Sequence, residues 1–387
     1  MKRLLFPLLL LILSGCAVFT PLQRSSLIGI FHLIEANNYP EAKEVAEQMI
    51  NEDEESSQWA RTWYARGLLA HNAYVEGKRH NDSRRFQLYP DQLFVIWESF
   101  EKAMELDGRG RLDRQIAPKY IILINNLNKE GEEHFRKREF EQALTRFQKA
   151  ITVSQSPILT IDKDYNLYYN AALAAYNAGK MSKAVKYLEI LDENNYSPNV
   201  SHLLFTIHIE NEDVDKAEKV LLDGISKYDN NEELVLLMVD LLFEQGDTER
   251  SIELIKQAIE ESPEEHILFY TKGLVYQKNG QFRKAIEAYK SAAELKPEDP
   301  MIFLNIATCY FNIGVEIEEN TRTLESNIRV MEEMALSEQA FRSAERWLDK
   351  AYQVDTRDQV VLLKLFELYR VMGNTEKSRS IQRRFNK

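Results

Sequence analysis

Residues that bend or staple a chain are in short supply here. Among 387 residues there are 14 glycines and 10 prolines, and cysteine occurs only at Cys16 and Cys309. Ala, Leu, Glu and Lys abound instead. Period-two alternation is hard to find, whereas i, i+3, i+4, i+7 apolar spacing recurs throughout, so the body reads as helical almost everywhere. Long hydrophobic runs are also lacking. The ten apolar residues Leu4–Leu13 are half of the roughly 20 that a resident transmembrane helix needs. No later stretch approaches that length, so no other segment reads as membrane-spanning. Finally, there is no basic excess. The formal net charge of −12 argues against nucleic acid as a partner, which calls for a basic stripe.

The first residues describe a secretory signal: two positive charges at Lys2 and Arg3, a short apolar core, then the small Ser14 and Gly15. Leu13-Ser14-Gly15-Cys16 resembles the bacterial lipobox. The resemblance implies that residues 1–15 are removed and that Cys16, acylated with palmitate-type chains, starts the mature chain. That chain has 372 residues (387 − 15) and a net charge of −14, because Lys2 and Arg3 leave with the signal. One acyl chain holds a membrane only marginally; the three of a typical bacterial lipoprotein anchor firmly. An acylated Cys16 also leaves Cys309 without an intrachain partner, so stability rests on burial and not on the disulfides common in secreted proteins. Ala17 follows the cysteine, and no acidic residue precedes Glu35. The aspartate that retains lipoproteins at the inner membrane and an acidic surface-export tag are both absent. The expected location is the outer membrane, lipid-anchored and facing the periplasm.

The clearest unit of the body is FYTKGLVYQKNGQFRKAIEAYKSAAELKP, Phe269 to Pro297. Its landmarks are Gly273, Tyr276, Ala285, Tyr289, Ala292 and Pro297. Gly273 and Ala285 suit a close approach of two antiparallel helices, and the tyrosines fill the space around it. Gly280 ends the first helix in a left-handed conformation, and Pro297 closes the second, since it lacks an amide donor. This order of landmarks resembles the tetratricopeptide repeat. The small residue of close approach recurs at 143, 184, 217, 251, 285, 344 and 378. Four of those six steps lie within one residue of 34, the period of the family. The resemblance implies an all-α fold, a right-handed α-solenoid of about eight helix pairs, because a lone repeat cannot bury its apolar face.

Two steps depart from the period. The 41-residue step accommodates a longer turn at SQSPILTIDKD, and the 59-residue step inserts 25 residues into the penultimate repeat. Residues 315–340 hold neither Gly nor Pro and read as a helical insert that extends both helices into an arm. Leu324, Ile328, Met331 and Ala335 form a narrow apolar seam among its glutamates. The expected organisation is 16–120, irregular N-terminal repeats; 121–314, regular repeats; 315–340, the insert; and 341–387, the C-terminal repeats. In the first of these, EGKRHNDSRRFQLYPDQ is expected to interrupt a helix pair, and DGRGRLDR to break helicity.

No catalytic constellation emerges. None of the seven histidines forms HExxH, and neither a phosphate loop nor a GxSxG elbow occurs. Cys309 reads as a buried inert thiol. No cofactor and no metal site is expected. Arg79, Arg84, Arg85, Arg109, Arg111 and Arg114 cluster in two loops, as solvated loops or as a contact for phosphate-bearing lipid or an acidic partner.

What remains is the groove that the first helices of such repeats line, at spacings of 3, 4 and 3. Counting from the landmarks gives Asn166, Tyr169, Leu173 and Tyr176, then Asn199, His202, Thr206 and Ile209, then Glu233, Leu236, Asp240 and Phe243. Ile267, Tyr270, Leu274 and Gln277 follow, then Met301, Leu304, Thr308 and Phe311, with Asn170 and Asn305 at the edge. Some family members clamp a terminal carboxylate with lysines and arginines in this groove; these five units carry none there. Aromatics and amides suit an extended or helical segment held by apolar pockets and hydrogen bonds. Asn166, Tyr169, Asn170, Tyr176, His202, Phe243, Tyr270, Gln277, Asn305 and Phe311 are the expected contacts. The arrangement is similar to tetratricopeptide lipoproteins of outer-membrane bacteria. It implies a non-enzymatic, membrane-anchored adaptor that grips an envelope protein or peptide segment in protein assembly or secretion. A glycan-capture outer-membrane lipoprotein is the alternative.

Overall fold

The computed structural model describes residues 21–228, 231–322, 324–325 and 327–385. Residues 1–15, expected to be a signal, and Cys16 lie outside them. The described residues contain helices and connections and no strand. They divide into two compact units, Met1–Glu193 and Asn194–Lys387.

The first unit holds α1 (Pro21–Glu35), α2 (Tyr39–Asn51), α3 (Ala60–His80), α4 (Ser83–Phe86), α5 (Gln92–Leu106), α6 (Asp113–Arg136), α7 (Phe140–Ser154), α8 (Tyr165–Asn177) and α9 (Met181–Asp192). Its antiparallel pairs are α1/α2, α3/α5, α6/α7 and α8/α9. The second unit holds α10 (Pro198–Glu210), α11 (Val214–Lys227), α12 (Glu232–Glu244), α13 (Thr248–Glu261), α14 (His266–Lys278), α15 (Phe282–Leu295), α16 (Pro300–Thr321), α17 (Asn327–Val354), α18 (Gln359–Val371) and α19 (Thr375–Phe385). These ten form five pairs in chain order. The described residues thus make nine helix pairs, close to the eight or so expected.

The pairs form where the landmarks put them. The small residues of close approach, Ala143, Ala184, Ala217, Ser251, Ala285, Ala344 and Ser378, are all buried. A Cβ at Gly273 would lie 2.5 Å from the Tyr289 ring, and one at Gly131 would lie 2.5 Å from Phe147. Gly67 stands in the same relation to Phe100, at 2.6 Å. Only a residue without a side chain lets the aromatic ring of the second helix lie flat on the first. The first helix then stops in a repeated way. Gly280 has φ +72, its N–H donates to Gln277 O (3.0 Å), and the Gln281 N–H donates to Tyr276 O (2.9 Å). That is the Schellman closure.

Several boundaries differ from expectation for local reasons. EGKRHNDSRRFQLYPDQ does interrupt its pair, but later than its first residues: α3 runs on to His80 and ends at Asn81, φ 53, before α4 and α5. Gly77 allows this, because α4 folds back so closely that a Cβ there would meet Phe86 N at 2.5 Å. DGRGRLDR does break helicity, between α5 and α6. The division expected at residue 120, however, falls inside α6, since the chain re-enters helix at Asp113 once Gly110 (φ +62) is passed.

The insert lengthens both helices of its pair, to 22 residues in α16 and 28 in α17. Among the described residues α16 is the one helix long and apolar enough to cross a membrane. Its apolar side packs against α15 and α17 through Ile302, Phe303, Ile306, Ala307, Cys309 and Ile313. That is the expected position of a core helix in a repeat stack.

Candidate functional site

In the first unit, α8 is positioned by Asp164, whose side chain accepts the Asn166 N–H at 3.0 Å and caps the helix. Leu167, Tyr168, Ala171, Ala172, Ala174 and Ala175 are buried. Asn166 is left exposed, and Tyr169, Asn170, Leu173 and Tyr176 partly buried. Asn170 and Leu173 line a hollow of 260 Å³ between α6 and α8, together with Glu132, Phe135, Arg136 and Phe147. Polar groups run along one rim. Asn170 Nδ2 lies 3.5 Å from Asn128 Oδ1, and Asn128 Nδ2 donates to Glu132 Oε1 at 2.9 Å.

Glu132 and Phe135 were missed in the sequence although the signal was present. The count that yields Asn166, Tyr169, Leu173 and Tyr176 from Ala172 yields Asn125, Asn128, Glu132 and Phe135 from Gly131. Arg136 adds a cation to a groove that the five counted units had left without one.

In the second unit the expected contacts fall on α10, α12, α14 and α16, and most also join neighbouring helices. His202 Nδ1 lies 2.7 Å from Glu233 Oε1, between α10 and α12. Asn305 Nδ2 donates to the Tyr270 hydroxyl at 2.9 Å, between α16 and α14. Gln277 Oε1 accepts from the Tyr289 hydroxyl at 2.7 Å, within the α14/α15 pair. Phe243 has the Lys278 ammonium 4.9 Å from its ring centre, and the Phe311 ring lies 5.6 Å from that of Phe341. Leu304 is buried and unavailable to a ligand.

A hollow of 460 Å³ opens on α12 beside Asn231, Glu232, Glu233, Leu236, Leu237 and Asp240. Lost hydration, with Glu265 near, raises the Glu232 pKa. Lost hydration, with Glu244 near, likewise raises that of Asp240, against the pull of Lys278. This stretch of the face is acidic, while the hollow of the first unit has one charge of each sign.

A larger hollow, 810 Å³, lies outside the expected groove, between α15, α16 and α17. Its floor is Phe303 against Trp347, with ring centres 5.6 Å apart, and Lys350 covers Trp347 at 4.0 Å. The arginine-rich loops are largely neutralised locally. Arg79 pairs with Glu76, Arg84 and Arg85 with Asp82, and Arg111 with Asp107. Among the described residues no group of three or more His, Cys, Asp or Glu could hold a metal ion. Burial pushes the Cys309 thiol up to about 12.

Against known families, the profile described as ChAPs (Chs5p-Arf1p-binding proteins) matches residues 118–340, more than half of the chain. The chain belongs to this family. The ChAPs match begins in α6 and ends in α17, so it takes in the α6/α8 hollow, the α12 hollow and the arm. Among curated proteins the chain is 27% identical over 141 residues to the photosystem I assembly protein Ycf3 of Prochlorococcus marinus (strain NATL2A). That match covers 36% of this chain and 64% of Ycf3. Among solved structures, the C-terminal part of a TPR repeat-containing protein from Cytophaga hutchinsonii aligns with a TM-score of 0.48 and 14% identity, over 66% of this chain and 93% of that one. PilF of Pseudomonas aeruginosa aligns with a TM-score of 0.40 and 16% identity, over 56% of this chain and 88% of that one.

Proposed function

We propose that this chain is a non-enzymatic adaptor that holds a segment of another protein on the face formed by the first helices of its repeats. The hollow between α6 and α8 carries the proposal. It has an apolar floor of Phe135, Phe147 and Leu173 and a polar rim of Glu132, Arg136 and Asn170. Floor and rim together take an apolar side chain and pair with the peptide backbone around it, since a side-chain amide offers two donors and an acceptor. Supporting this reading, the family is described by the proteins its members bind, and Ycf3 is named for the assembly of a complex.

The proposal extends to location: an acylated Cys16 would tether the body to the outer membrane on its periplasmic side, where it serves envelope protein assembly or secretion. The Leu13-Ser14-Gly15-Cys16 sequence supports the tether. Photo-crosslinking in intact cells from positions 169 and 176 tests the groove. A protein captured there, and lost when Leu173→Asp fills the hollow with charge, is the expected result. Capture no stronger than from Lys186, on the second helix of the same pair, would refute it. For the tether, Cys16→Ser should move the protein from the membrane fraction to the soluble one.

A further inference from the structure

Within α17, the apolar seam of the insert does not pack against α16, whereas Leu324, before the helix, is partly buried. By the 3.6-residue period, Ile328, Met331 and Ala335 lie on the side of α17 opposite the buried Ser337, Ala344 and Leu348. Ser337 faces α16, its hydroxyl donating to Gly314 O at 3.0 Å. Ile328 and Met331 are therefore 72% and 73% exposed, and Ala335 is exposed beside them. Met334 and Leu336 widen the stripe at 56% and 50% exposure. The flanks are predominantly acidic, although Arg342 already pairs with Glu338 at 2.7 Å. Residues 315–340 contain seven glutamates, among them Glu325, Glu332 and Glu338, against two basic residues, Arg322 and Arg329.

We propose that this outward face of the arm docks a basic amphipathic helix of a partner protein. The partner's apolar seam lies on Ile328, Met331 and Ala335, and its Lys or Arg residues lie against Glu325 and Glu332. Apolar residues at i, i+3 and i+7 form the narrow seam of a helix–helix contact, and charges beside such a seam choose the partner. Methionine adapts to differing apolar surfaces. The acidic flanks favour this occupant over the others. An anionic lipid surface repels them, and a second copy packed on the same face would set like charges against each other. The proposal is independent of the groove, because a chain with no groove partner still presents this face.

The test uses the full chain and two synthetic helices with the same leucine seam, one with lysines on its polar side and the other with glutamates. Fluorescence anisotropy of the labelled peptides reads binding. The lysine helix should bind at least about tenfold more tightly than its glutamate twin, and added NaCl should weaken it. An Ile328→Ser/Met331→Ser double variant alters only exposed side chains, and circular dichroism verifies its helicity. It should lower that affinity by about tenfold or more. Equal binding by the double variant would overturn the proposal, because the attraction would then be that of an acidic protein for any cation. So would equal loss in the Leu173→Asp variant, which would put the peptide in the groove. Sedimentation showing a dimer that the double variant dissolves would overturn it in favour of a second copy.

Discussion

Gly273 shows how narrow the tolerance of this fold is at a single residue. A methyl group there would sit 2.5 Å from the Tyr289 ring, and Tyr289 is fully buried and held through its hydroxyl by Gln277. The ring cannot step aside. Gly273→Ala should cost about 1–3 kcal/mol, the usual range for overpacking, read as a lower urea midpoint.

Asp107 has a different burden. Its buried carboxylate accepts the Leu112 N–H at 2.8 Å and Arg111 Nε at 2.9 Å, bridging the break between α5 and α6. Burial alone would raise its pKa, but these donors outweigh it and hold the group below the usual carboxylate range. A depressed folded pKa means stability that is complete above about pH 4, the ordinary carboxylate value, and lost as pH falls through the folded one. Asp107→Asn should therefore be less stable at pH 7, by about 1.5 kcal/mol for a charge-assisted bond. Its stability should also fall less on acidification, so that the two curves converge at low pH. Cys309 should be silent: in a Cys16→Ser chain, a thiol reagent should find no reactive cysteine in the native protein and one in denaturant, given a thiol pushed up to about 12.

At the scale of the element, the ends of the first helices separate strain from sequence pattern. Gly179, Gly246, Gly280 and Gly373 take the left-handed position without cost. Arg138 (φ 62) and Glu212 (φ 59) occupy the same position with side chains. Left-handed non-glycine residues cost on the order of 1 kcal/mol, so Glu212→Gly should stabilise the chain by about that amount in thermal or urea unfolding. The backbone bonds that define the turn, Glu212 N–H to Ile209 O and Asp213 N–H to His208 O, do not involve the side chain. The arm is explained at this scale too. A Cβ at Gly314 would meet the Phe341 ring at 2.7 Å. Gly314 lies seven residues after Ala307, and Phe341 seven before Leu348. Two turns further out, the extended pair repeats the glycine-on-aromatic contact seen in the α3/α5, α6/α7 and α14/α15 pairs. That symmetry was present in the sequence and could have been found by extending the landmark count outward from the repeat.

At the scale of the whole molecule, each repeat touches mainly its neighbours, so damage should stay local. In the Gly273→Ala chain, hydrogen exchange should accelerate in α14 and α15 and fade along adjacent pairs of the second unit. The α6/α7 pair of the first unit should exchange as in the unaltered chain. Acceleration spread evenly over both units would mean that they unfold as one.

The sequence by itself determined the helical class, and the pairing and register of the helices that carry the landmarks. These follow from local spacing, because a small residue every 34 positions or so can serve only one contact in a helical hairpin. It also located two of the six residues that line the α6/α8 hollow, Asn170 and Leu173. Tertiary structure alone decided which counted positions stay open, since Leu304 is covered by its neighbours while Tyr270 and Asn305 satisfy each other. It also decided that the seam of the insert faces outward. A heptad-like seam declares that a helix has an apolar side; only the partner helix, here α16 taking Ser337 and Phe341, determines which side is used and which is left for another molecule.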